Sequence, residues 1–355
     1  MRLWSAKRSS GSPSTDSTAD GAPVRDRAWA GVRFDPARAR RAHRGHVESW
    51  FLKANDPHGR RAVWLKWTLW AGDRAPARAV AETWAVAFCT TRGHVATKSS
   101  VPFEQARFVP GALGVTIDGC TLSSEVARGS VASGGRAIAY DLSLSSLEAP
   151  YTLYGPRWMY TGPIPSQKAV SPIPNARISG TLEVDGERWA LDAWPGMVGH
   201  NWGRHTEAYV WGHCNAWDDG DDVVFEGASG RVRAAGVLLP LRTGMIVRHH
   251  GTTYRLGNLA SVASNKATVT PRRWQFRGSA PRIDVEGEMW AETDDFVGLF
   301  YPNPDGKLIH CLNSKIAHAE VTLRIAGRAP KTLRSTRAAL EIGTTDPHHG
   351  VRMYV

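Results

Sequence analysis

Four carboxylic acids in this chain stand among apolar or aromatic neighbours: Glu48, Glu82, Asp192 and Glu226. Desolvation penalises the charged form of such a group, and a carboxyl kept neutral can protonate an alkene. Asp192 precedes Trp194 by two residues and His200 by eight, while Glu226 lies in the apolar run DVVFEGA, where a surface position is hardest to defend. For each acid taken singly, the competing reading is a carboxylate paired with one of the 35 arginines. Tryptophan faces stabilise a developing cation by about 0.5–2 kcal/mol per desolvated ring. Trp194, Trp202, Trp211 and Trp217 are placed to do so, or equally to pack a core.

The histidines invite a metal reading and do not sustain it. His200 and His205 flank Trp202 and Arg204, and His213 follows. A separation of five puts the first two on opposite faces of a strand, and no carboxylate stands ready as a third ligand, so no metal is expected. Gly199, Asn201 and Gly203 instead predict a bulge or tight turn that aims His200 inward, as a proton relay to Asp192 or a cap on a polar ligand group. GxGxxG, P-loop, GxSxG and HExxH patterns are absent, which removes nucleotide-binding, phosphoryl-transfer and serine-hydrolase readings. No cofactor is expected.

The element that must hold these groups is the stretch from residue 189 to residue 217, which carries five of the 15 tryptophans. From Tyr209 onward Tyr209, Trp211, His213, Asn215 and Trp217 alternate with small residues, the period of a β-strand. Rings with polar tips on one face suit a cavity wall, because a dry core would have to satisfy His213 and Asn215 at about 1–3 kcal/mol for each failure. Plain packing of good strand formers is the other reading.

Other segments repeat the pattern. GHVESWFLKAND (residues 45–56) and AVWLKWTLWAGD (residues 62–73) read as a hairpin whose second strand is heavy on both faces and so covered on both sides. In residues 81–89, Glu82 and Trp84 fall on a large face and alanines on the other. Further strands recur every ten residues or so, with no amphipathic helix beyond three turns. Residues 150–176 hold six prolines among Tyr151, Tyr154, Trp158 and Tyr160, and read as a passage between two domains with its aromatics at the junction. Asp185-Gly186 marks a type I′ hairpin turn. The expected organisation is a disordered basic tail (1–28), an N-terminal β-barrel (29–160) and a C-terminal β-barrel (161–355).

The net charge of +11 loses its nucleic-acid meaning once located, since residues 1–44 alone hold ten Lys and Arg against four Asp and Glu. No nucleic-acid partner is expected, and at most a peripheral membrane contact through the basic arm. Four scattered cysteines without CxxC spacing indicate neither zinc nor a disulfide framework. No apolar run approaches the roughly 20 residues of a membrane span, and the N-terminus lacks the apolar core of a signal peptide. A cytoplasmic protein is therefore expected.

At GHNWG (residues 199–203), with Asp192-Ala193-Trp194 upstream and Tyr209-x-Trp211 downstream, and again at CLNSKIA (residues 311–317), the chain resembles the lipocalin-like hydratase and cyclase superfamily. That group includes carotenoid 1,2-hydratase (hydroxyneurosporene synthase), the AttH-like proteins and, more distantly, tocopherol cyclase and decalin-forming Diels–Alderases. The resemblance spans approximately residues 32–350 and implies an all-β fold of two tandem lipocalin-like antiparallel β-barrels with a ligand cavity near their junction. It leaves the reaction open. Together the readings point to a cofactor-independent enzyme that hydrates, cyclises or isomerises a hydrophobic isoprenoid or polyketide-like substrate by acid catalysis. Asp192, Glu226 and His200 are its candidate catalytic groups. Trp194, Trp202, Tyr209, Trp211, His213, Asn215, Trp217, Glu82, Trp84 and Tyr160 are candidates for the substrate wall. The alternative is a non-catalytic carrier of a hydrophobic ligand.

Overall fold

The computed structural model describes residues 30–355 apart from 77, 156, 164, 206, 207, 232, 235, 236 and 239, so the expected tail (1–28) lies outside the described residues. The first strands are β1 (His46–Asn55), β2 (Arg61–Ala71), β3 (Val80–Cys89) and β4 (Val95–Pro102). Short strands follow: β5 (Arg107–Phe108), β6 (Gly114–Ile117) and β7 (Cys120–Ser123). Then come β8 (Val126–Ser133), β9 (Arg136–Ser146), β10 (Tyr151–Thr152) and the long pair β11 (Gln167–Val184) and β12 (Glu187–Gly203). These form one antiparallel sheet in the order β4-β3-β2-β1-β12-β11-β9-β8-β7-β6-β5, with β10 beside β11.

The remaining strands are β13 (Tyr209–Cys214), β14 (Val223–Gly230), β15 (Arg233–Ala234), β16 (Val237–Leu238), β17 (Arg242–His249) and β18 (Thr252–Arg255). They are followed by β19 (Lys266–Thr270), β20 (Arg273–Ala280), β21 (Ile283–Trp290), β22 (Val297–Pro302), β23 (Leu308–Ile325) and β24 (Lys331–Thr344). The second sheet runs β18-β17-β14-β13-β24-β23-β21-β20-β19, with β22 also on β23 and β15-β16 a separate ribbon. Among the described residues the α-helices are short: α1 (Pro36–Ala42), α2 (Trp158–Thr161) and α3 (Leu259–Ser264). The fold is all-β, two large curled antiparallel sheets, as the strand pattern predicts.

Each sheet wraps its own core. Trp50, Leu65, Trp67, Ile178 and Trp194 fill the first, and Phe225, Trp274, Phe276 and Met289 the second. The first curls until β4 returns over β8, where Lys98 N donates to Ser133 Oγ at 3.1 Å. β2 is covered on both sides, as expected. Leu65 and Trp67 point into the first core, and Trp64 on the other face joins Trp84, Leu299, Tyr301 and Ile316 in a layer between the sheets.

One boundary needs correction. β11 and β12, expected to open the C-terminal barrel, complete the first sheet, with Trp50 opposite His200 and Lys53 opposite Met197. The change of sheet falls between Gly203 and Tyr209, not at residue 160. Proline misled the reading. Pro172 and Pro174 sit inside β11 where its register against β12 slips, between Val170 and Ile173 and between Ile173 and Ala176, and at a slip a missing N–H breaks no ladder bond. The turn into β12 is the expected one, with Asp185 at φ 48° and Gly186 at φ 85°.

Candidate functional site

Between the sheets lies a cavity of about 390 Å³, lined by Phe51, Trp64, Tyr154, Tyr209, Trp211 and Tyr301, with Lys66, His205, Glu226 and Glu341 set among them. Strand register explains the grouping. Ala228, Trp211 and Glu341 stand opposite one another on β14, β13 and β24, so they share the face turned to the first sheet. Two rings reach the cavity wall because the facing residue has no side chain. A Cβ on Gly199 would overlap the Phe51 ring and one on Gly343 the Tyr209 ring. Leu153, Tyr154, Trp158 and Met159, from the proline-rich passage, line the same space.

Glu226 is the carboxylate this cavity buries. Its Oε2 accepts from Tyr151 Oη at 2.7 Å and Ser171 Oγ at 2.6 Å, and its Oε1 from Trp211 Nε1 at 2.9 Å. Burial nevertheless holds the carboxyl above its usual range, outweighing those three hydrogen bonds and the charge of Arg248, which pull the other way. A group so balanced can hold a proton and also stand without it.

At another part of the same space, Lys66 Nζ lies 3.6 Å above the Tyr301 ring centroid and 5.6 Å from that of Trp64. Burial brings this ammonium down to about 8 against the attraction of Glu341, Cys311 and Glu82. His205 stacks on Tyr301 at 5.3 Å, and burial together with the Lys66 charge pushes it down to about 3, so it is neutral. Glu341 is engaged by Lys315 Nζ at 2.7 Å.

A second, more open cleft of about 660 Å³ lies beside Phe34, His46, Tyr160, Lys168 and Trp202. Next to it Glu48 Oε1 pairs with His200 Nε2 at 2.9 Å, and Oε2 with His46 Nε2 at 3.2 Å and Phe34 N at 2.7 Å. Burial would raise this carboxyl, yet the hydrogen bonds and charges of His200 and His46 bring it down to about 2. Glu48 is thus an anion and no proton donor near neutral pH.

The expected site residues separate accordingly. Glu226, Tyr209 and Trp211 line the cavity between the sheets. His213 and Asn215 share the Trp211 face but are buried in a polar layer: His213 Nε2 meets Pro174 O at 3.0 Å, and Asn215 binds Asn175 and Gly196 while accepting from Lys53. Trp202 and Tyr160 line the open cleft and pack together, whereas His200 is on the wall of the cavity between the sheets, its ring stacked on Trp50 at 4.7 Å. GHNWG pairs residue by residue with β1 and departs from strand geometry at Gly203, with φ 119°, and His200 addresses Glu48 instead of Asp192.

Four others leave the site. Asp192 is exposed, because Ala193 takes φ 48° where the β11 register slips between Ile178 and Gly180, turning both residues outward. Trp194 packs in the first core, and Trp217 in the second with its Nε1 on Val223 O. Glu82 pairs with Lys98 at 2.8 Å. Trp84 stays nearby, packed edge-on against Tyr301 behind the wall. Sequence reasoning placed Tyr151 at the junction without a role and missed Lys66, Ser171, Tyr301 and Glu341; the one available signal for these was a lone lysine in a strand heavy on both faces.

The model of the tocopherol cyclase-like family matches residues 152–344, the part that carries Glu226, Trp211, Tyr301 and Glu341. The chain belongs to this family. An uncharacterised protein of Mycobacterium tuberculosis, found in strains CDC 1551 / Oshkosh and H37Rv, is 27% identical over 215 residues, which are 60% of this chain and 63% of the relative. The chain therefore matches less than two thirds of the length of these curated relatives. Among solved structures, a putative AttH from Nitrosomonas europaea superposes with a TM-score of 0.51 at 13% identity, covering 86% of this chain and 93% of that one, and shares its fold. Kievitone hydratase from Nectria haematococca gives 0.48 at 11% identity over 84% and 90% of the two chains.

Proposed function

We propose that the chain adds a proton to an alkene of a hydrophobic substrate in the cavity between the sheets, leading to cyclisation, hydration or isomerisation without a cofactor. The observation that carries this reading is Glu226, a buried carboxyl raised by desolvation in an apolar cavity. In the protonated form it gives its proton to one alkene carbon. The cation left on the other carbon is faced by Trp211 and its aromatic neighbours, each worth about 0.5–2 kcal/mol when desolvated. A hydroxyl of the substrate or a water adds to that carbon and returns its proton to the carboxylate. For isomerisation an adjacent C–H supplies it. Tyr151, Ser171 and Trp211 stabilise the carboxylate between the two transfers.

The test uses Glu226→Gln, which keeps the shape and one acceptor oxygen while removing the transferable proton. With a panel of prenylated alkenes in D₂O, the native protein should place one deuterium on the carbon that gains hydrogen. The variant should bind within a few-fold and turn over about 10²–10⁴ more slowly. Equal turnover by both proteins sinks the proposal, and binding without turnover in either favours the carrier.

A further inference from the structure

The polar groups around Lys66 have no occupant that explains them. Lys66 is 4% exposed, and its Nζ meets aromatic faces, 3.6 Å from the Tyr301 ring centroid and 5.6 and 5.7 Å from those of Trp64 and Trp84. Tyr301, also 4% exposed, leaves its Oη without a hydrogen bond, and Trp64, 1% exposed, leaves its Nε1–H unpaired. His205 Nδ1 is unpaired too, a further donor in one tautomer. Buried donors are ordinarily satisfied, and those that are not point to a missing partner. All can donate, so the missing group accepts.

We propose that this end of the cavity is a receptor for a carboxylate, and that the natural ligand is a lipophilic acid with its head at Lys66 and its apolar tail running past Trp211 toward Glu226. A single negative charge matches the charge on offer. Of the other buried lysines nearby, Lys53 is engaged by Asn55 and Asn215 and Lys315 by Glu341, whereas the Lys66 ammonium rests on aromatic faces. A diphosphate would require more cations than that. The dimensions suit a tail, since Tyr301 on β22 and Glu226 on β14 stand four strand steps apart through β23, β24 and β13. At about 4.8 Å per step the sheet separates them by roughly 19 Å along its surface. Neutralising Lys66 also removes a positive charge that would oppose a cation forming in the same cavity.

This inference rests on the same cavity as the proposed reaction and not on the proton of Glu226. Its test titrates the full chain with dodecanoate, dodecanol and methyl dodecanoate, read by tryptophan fluorescence and calorimetry. The acid should bind about tenfold or more tighter than the alcohol or ester. Lys66→Met should abolish that preference and Tyr301→Phe should reduce it, while Glu226→Gln should keep it. Tyr301→Phe deletes a buried hydroxyl without a hydrogen bond and Lys66→Met a buried ammonium, so their melting temperatures should stay level or rise. If Lys66→Met fails to fold, ¹³C NMR of carboxyl-labelled dodecanoate on the native protein decides. A bound head that titrates below its value in water supports the receptor, and one that titrates at or above it overturns it. Equal binding of acid, alcohol and ester overturns it as well, as does a Lys66→Met protein that still prefers the acid. Loss of turnover with the preference intact bears on Glu226 alone.

Discussion

Glu48 and Glu226 are both buried glutamates, and their neighbours send them in opposite directions. Glu226 is met by neutral donors, so burial prevails and its carboxyl rises. Glu48 is met by two histidine side chains and the backbone amides of Arg33 and Phe34, and its carboxyl falls to about 2 from 4.5. Between those values the folded chain binds fewer protons at Glu48 than the unfolded chain. The stability it contributes is therefore fully present above about pH 4.5 and is lost as pH falls toward 2. The loss is on the order of 3 kcal/mol. Urea unfolding between pH 5 and pH 2.5 should show a smaller decline in Glu48→Gln, whose stability is already lower at pH 5. Matching slopes in the two proteins would remove Glu48 from the account.

At the scale of elements, β13 was the most legible part of the chain, because strict alternation put Tyr209, Trp211 and His213 on one face and the structure keeps them there, with Asn215 just past the strand's end. Alternation does not say what lies opposite. The same face meets a cavity at Tyr209 and Trp211 and a polar layer at His213 and Asn215, and only the packing of the other sheet decides between them. The hairpins and their turns were readable for the same local reason. The membership of β11 and β12 was not, since it depends on β11 pairing with β9 across the proline-rich passage and on β12 pairing with β1 more than a hundred residues earlier in the chain. Nor does a pattern reveal that Gly343 is empty for the sake of the Tyr209 ring. Gly343→Val should push that ring off β24 and cost about 1–3 kcal/mol by overpacking. A lower melting temperature together with weaker binding of an apolar ligand is the expected result; an unchanged protein would show that the ring has room to move.

Over the whole molecule, the two sheets are joined by a layer that is apolar at Trp64, Trp84 and Leu299 and cationic at Lys53, Lys66 and Lys315. Lysine inside a protein is destabilised mainly in its charged form, and burial brings Lys53 down to about 7 and Lys66 to about 8. In the unfolded chain both stay protonated to about 10.5. Between about pH 7 and pH 9 the unfolded state therefore binds more protons, and stability rises with pH. The rise is about 2–4 kcal/mol for the two groups together. Above that window the gain is opposed, because burial raises the thiols of Cys214 and Cys311 and the phenols of Tyr151 and Tyr301, and the folded chain then holds protons that the unfolded chain releases. Urea midpoints measured at pH 6, 7, 8, 9 and 10 should pass through a maximum near pH 9. Lys53→Met should flatten the rise between pH 7 and pH 9, while losing the hydrogen bond to Asn55 within β1 and the one to Asn215 that ties β1 to the segment after β13. Dodecanoate bound at Lys66 should flatten it further, since a carboxylate beside the ammonium restores its charge in the folded state. A native midpoint that falls steadily from pH 7 upward would mean that these lysines stay charged between the sheets, held by partners stronger than amide oxygens and aromatic faces.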